Sequence, residues 1–136
     1  MNMTTENVNF HPNRIRIMFA LNIAVALAFG LALLIMPLQM YSFVGNTSQE
    51  IIWSSYGSSY MVALGLLAIA GLRSPVKFSM ILVVQAIAKI VWLIGAIVPA
   101  LIVGPLPTYG IYLAVTFIPF IVGDLIVVPW RHILAK

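Results

Sequence analysis

Lys89 stands deep inside an apolar run, with Gln85 one helical turn before it and Trp92 nearly one turn after. Positions i, i+4 and i+7 share one face of a helix, so the three side chains point the same way. An ammonium at that depth in lipid costs at least about 2.5–3.5 kcal/mol unless it is paired or solvated. Lys89 is therefore the first candidate for chemistry. It can attract an anionic or carbonyl group, with Gln85 orienting that group and Trp92 walling its apolar part. With 1.5 Å of rise per residue, Lys89 lies about 13 Å from the outer end of its segment. The same depth elsewhere reaches Ser58, Ser59 and Tyr60 in the second apolar segment and Thr116 in the fourth. A polar, ligand-binding layer of Lys89, Gln85, Trp92, Ser58, Ser59, Tyr60 and Thr116 is expected in the outer half of the protein. The competing reading of Lys89 is a subunit contact or a side chain that snorkels to the headgroups.

Asp124 is the one acidic residue in the interior of an apolar segment. It falls about 7 Å from the inner end, at the level of Arg73 and Lys77, so a structural ion pair with those two is expected at the rim. A direct Lys89–Asp124 pair is not expected, because their depths differ by about 10 Å. Asn22 lies close in depth to Gln85, and the two are candidates for an interhelical hydrogen bond. Gly57, Met61, Gly65 and Ala68 form a stripe suited to helix packing. His11 and His132 are near opposite ends of the chain, so no metal set is expected. No Gly-rich phosphate loop, nucleophile elbow or paired carboxylate occurs, and no cofactor can be named. Asn46-Thr47-Ser48 matches a glycosylation acceptor.

The elements that position these residues follow from composition. Of 136 residues, 62% are hydrophobic and 7% charged, against about 25% charged in a soluble domain. Mean hydropathy is +1.09. The solvent is lipid. Cysteine is absent, which excludes disulfides and thiolate metal sites. The net charge of +4 comes from short basic groups beside apolar runs, a topology signal rather than a nucleic-acid surface. Four segments of about 20 residues can cross a core about 30 Å thick: 15–36, 48–72, 75–98 and 108–128. Helix signals mark their ends: Asn13, a Thr47/Glu50 capping box, Ser74 before Pro75, and Thr108. Pro37, Pro99, Pro105 and Pro107 fall at ends or in loops, and Pro119 inside the fourth segment predicts a kink.

Arg14, Arg16, Arg73, Lys77, Arg131 and Lys136 all fall on one side if the chain weaves up, down, up, down. The expected fold is a single all-α domain over residues 1–136, a four-helix transmembrane bundle with both termini cytoplasmic, in the inner or plasma membrane. Trp130 at one boundary, and Trp53 and Tyr109 at the other, suit the aromatic belt.

The layout of four short helices, with Gly57…Gly65-Leu66 in the second and Arg73-Ser74-Pro75 at the following turn, resembles small bacterial membrane proteins of the DoxX-like kind. The resemblance covers span order and length. It implies an accessory role beside quinone-linked oxidoreductases, and no site residue is carried over from it. The residues themselves point to binding of a lipophilic or amphipathic molecule, or to a membrane subunit with a homo-oligomeric or complex partner. The alternatives are an enzyme using Lys89 in proton transfer on a lipid-soluble substrate, and a small ion-coupled transporter using Asp124.

Overall fold

A computed structural model describes residues 11–44 and 51–134, and among these the chain is helical, with no strand. The elements are α1 (Pro12–Ile35), α2 (Pro37–Val44), α3 (Ile51–Arg73), α4 (Met80–Trp92), a π-helical turn (Leu93–Ile97), α5 (Val98–Val103), α6 (Thr108–Val127) and α7 (Trp130–Leu134). Four helices are long and apolar enough to cross a membrane: Pro12–Ile35, Ser54–Arg73, Met80–Val103 and Thr108–Val127. Helices are what such segments must form, because lipid offers no partner for an open backbone N–H or C=O.

The long helices pack as a ring. α1 lies against α3 and α6, while α4 lies against α6 and α3. One end of the ring is apolar and tightly filled. There Ile15 and Phe19 of α1 meet Ala68 of α3, Leu82 and Val83 of α4, and Val128 beyond α6. Gly71 sits under the Phe19 ring so closely that any Cβ would overlap it, and Gly65 admits Leu27 in the same way. The packing stripe is thus real at Gly65 and Ala68, which are buried, whereas Gly57 is exposed with open space beside it. Near the opposite end the buried groups are smaller or more polar: Gly30, Tyr41, Ser58 and Gly110, with Ile97. Tyr41 of α2 hydrogen-bonds Ser54 of α3. The outside is apolar, as in Ile102, Val103 and Ile126, while Asn22, Ser58, Ser79, Gln85 and Asp124 are inside. That distribution suits a lipid solvent.

Several boundaries differ from those the sequence suggests. The third crossing helix does not begin at Pro75. Residues 74–79 make a sequence of tight turns, with Ser79 N–H bonded to Val76 O and Leu82 N–H to Ser79 O, and Ser79 Oγ donates to Val76 O at 2.7 Å. α4 starts only at Met80, and Ser74 is not its cap. Nor does the helix stop at Pro99. Proline cannot donate to the carbonyl four residues back and its ring crowds that carbonyl. The helix instead widens by one residue, Val98 N–H bonding Leu93 O, and continues to Val103. α1 starts at Pro12, with His11 rather than Asn13 in the capping position. α6 is continuous through Pro119. α2, a short helix after Pro37, is an element the sequence reading places in a loop. The Thr47/Glu50 box, Asn46 and Lys136 lie outside the described residues, as does the Trp53 side chain.

Candidate functional site: a buried lysine, aspartate and asparagine

Three side chains from three helices meet inside the ring. Asn22 on α1 donates from Nδ2 to Asp124 Oδ1 at 2.6 Å, and also to Met18 O of its own helix at 3.0 Å. Lys89 on α4 donates from Nζ to Asn22 Oδ1 at 3.0 Å and to Asp124 Oδ2 at 3.3 Å. Asp124 on α6 is 0% exposed, and the Lys89 side chain 15%. Asn22 is therefore fully used, with both amide hydrogens donated and its oxygen accepting. α1 and α4 face each other across the ring, so Lys89 closes the diagonal and Asp124 anchors the corner.

The expected rim pairing of Asp124 with Arg73 and Lys77 is thus replaced by a pair with Lys89, the partner that depth argued against. The start of α4 explains it. The third helix occupies Met80–Val103 rather than 75–98, which moves Lys89 about 7.5 Å toward the basic end. The flexible four-carbon stem of lysine covers the remainder. Arg73 and Lys77 are exposed. Arg16, also exposed, holds the end of α3 by donating from Nε to Leu72 O at 3.3 Å.

The ammonium lies 5.5 Å from the Phe120 ring centroid, within reach of a cation–π attraction. Trp92 packs edge-on against Phe117, with centroids 5.2 Å apart. Phe117, Phe120 and Asp124 are spaced i, i+3 and i+7, so they share a face of α6. That face meets the Lys89/Trp92 face of α4 in reverse order, Asp124 and Phe120 at Lys89, Phe117 at Trp92. The sequence reading missed the two phenylalanines, although their spacing is as regular as that of Gln85, Lys89 and Trp92.

Gln85 is buried one turn from Lys89. Its Nε2 donates a long 3.4 Å bond to Leu64 O of α3, and its Oε1 has no partner among the described residues. The expected Asn22–Gln85 hydrogen bond is not formed. The hydroxyls do not converge on Lys89 either. Ser58 is buried, but its hydroxyl bonds Ser54 O within α3. Ser59 is exposed and bonds Tyr56 O at 2.7 Å; Thr116 is exposed and bonds Tyr112 O at 2.8 Å. Satisfying a hydroxyl on its own helix is what allows it to face lipid. Tyr60 is exposed, with its hydroxyl 3.1 Å from that of Tyr56. Of the seven residues expected to form one layer, Lys89 and Trp92 meet α6 while Gln85 turns to α3, and the four from α3 and α6 do not join them.

No group of three or more His, Asp or Glu side chains among the described residues could hold a metal ion. Compared with protein-family models, curated proteins and solved structures, the chain matches none.

Proposed function

We propose that this chain is a small polytopic membrane protein that binds a lipophilic molecule with a neutral, hydrogen-bond-accepting head between α4 and α6. The observation that carries the reading is the state of Lys89. Its charge is compensated by Asp124 and two of its three N–H groups are committed to Asp124 and Asn22. It is also still partly exposed, over Phe120 and next to the Trp92–Phe117 pair. A compensated cation has little electrostatic call for an anion, so a carbonyl suits it better than a carboxylate. The remaining N–H is the donor, and the three aromatic rings supply the apolar wall. A role as a subunit of a larger membrane complex, the reading in line with the DoxX-like layout, is compatible with such a site.

The bundle is proposed to run up, down, up, down with both termini on the cytoplasmic face of the inner or plasma membrane. The support is the grouping of Arg14, Arg16, Arg73, Lys77 and Arg131, and the absence of lysine and arginine from 37–47 and 99–107.

Mass spectrometry of the protein purified in mild detergent tests the binding. The parent should retain a lipophilic, non-phospholipid species that Phe117→Ala and Phe120→Leu variants lose, with their helical content unchanged. Retention by both variants, or no such species in the parent, would rule the site out. A second reading, ion-coupled transport, is favoured by the complete burial of the charge-paired Asp124. It predicts uptake into proteoliposomes that depends on an ion gradient and disappears in Asp124→Asn.

A further inference from the structure

The basic end of the molecule carries a second feature, separate from the buried cluster. A groove of about 510 Å³ opens between the 74–79 turns and α7, lined by Val76, Lys77, Ser79, Met80, His132 and Ile133. Its construction is local and specific. The indole of Trp130 donates to Leu125 O at 2.8 Å, and the His132 and Ile133 N–H groups bond Pro129 O. The chain therefore folds back after α6, and Ile133 comes to pack on the same apolar cluster as Val76 and Phe78. The groove is amphipathic in a graded way. Val76, Met80 and Ile133 offer an apolar floor, while Lys77 brings an ammonium to it and His132 lines its polar edge.

Lys77 has no acidic partner among the described residues, and its ammonium lies 5.6 Å from the Phe78 ring centroid. The one carboxylate within the described residues, Asp124, is already taken by Lys89 and Asn22. Arg14, Arg16, Arg73 and Arg131 add further positive charge at this end of the helices. A lysine with no acidic partner among the described residues, over an apolar floor and at the level where a crossing helix starts, matches a phosphate joined to an acyl chain. A soluble anion would leave the floor unfilled. A zwitterionic lipid would bring its own cation against Lys77.

We infer that this groove is a binding site for one anionic phospholipid, whose phosphate meets Lys77 and whose acyl chain lies along Val76, Met80 and Ile133. Basic recesses between crossing helices are suited to such headgroups. The site is independent of the ligand proposed for Lys89.

The protein in nanodiscs of phosphatidylcholine, with and without added phosphatidylglycerol, provides the test. Anionic lipid should raise the melting temperature by several degrees, and native mass spectrometry should find one phosphatidylglycerol retained after detergent extraction. Lys77→Gln should lose both effects while melting normally in phosphatidylcholine alone. Met80→Trp, which fills the groove without changing charge, should lose them too. Retention of the lipid by Met80→Trp would mean diffuse attraction to a basic rim and would overturn the site. A rise of equal size with inorganic phosphate in phosphatidylcholine discs would overturn the lipid assignment in favour of a free anion.

Discussion

Lys89 and Asp124 are each costly in lipid and are tolerable only together. Removing one partner of a buried pair leaves the other charge stranded, at a cost of about 3–5 kcal/mol. Lys89→Met should therefore destabilise the protein by about that much, although it removes an intramembrane charge. The double variant Lys89→Met with Asp124→Asn should recover most of the loss. Thermal unfolding of the parent, both single variants and the double variant in nanodiscs gives the coupling. Additive effects would show that the pair does not hold the helices. Gln85 behaves in the opposite sense. Among the described residues its Oε1 is buried without a partner, which costs about 1–3 kcal/mol, and the one hydrogen bond its side chain makes there is long. Gln85→Met should thus melt at the same temperature as the parent or higher. A clear fall would mean that Oε1 has a bonded partner, such as a water, within the bundle.

At the scale of the helix, the sequence was legible in element type and less so in element ends. Four crossing helices follow from segment length and apolarity. The start of the third does not, because Ser74-Pro75 is a sound local start signal that the packed 74–79 turns override. Its far end is also hidden, since Pro99 reads as a stop and the chain evades it by a π turn. Those two boundaries are what misplaced Lys89 relative to Asp124. Close packing of α1 on α3 is the element-level feature most open to test. Gly71→Ala puts a methyl group into the Phe19 ring and should cost about 1–3 kcal/mol. Phe19→Leu in the same background should restore part of that by vacating the space. An Ala variant as stable as the parent would show that the two helices are not in this contact.

For the whole molecule, orientation is the proposal with the simplest check, because the chain has no cysteine. A single cysteine at Gly104 should react with an impermeant maleimide on intact cells, and one at Ser74 only after permeabilisation. Labelling of Ser74 from outside would invert the topology. The one-sided basic residues carry this expectation, and among the described residues no carboxylate faces the 74–79 turns, since Asp124 is taken into the bundle.

What the sequence determined by itself is the class of protein: apolar segments of crossing length admit only helices in lipid, and their number follows from counting. It also singled out Lys89, Gln85 and Trp92 as one helical face, since i, i+4 and i+7 spacing is intrinsic to the helix. Which groups that face meets was decided only by tertiary structure. Partner choice depends on axial register between helices, and a shift of five residues in one helix start moves a side chain about 7.5 Å. Rotation about each helix axis matters equally: it turned Ser59, Tyr60 and Thr116 outward and brought Asn22, Phe120 and Asp124 to the lysine. Periodicity within one helix sets which residues share a face, but not the direction in which that face points.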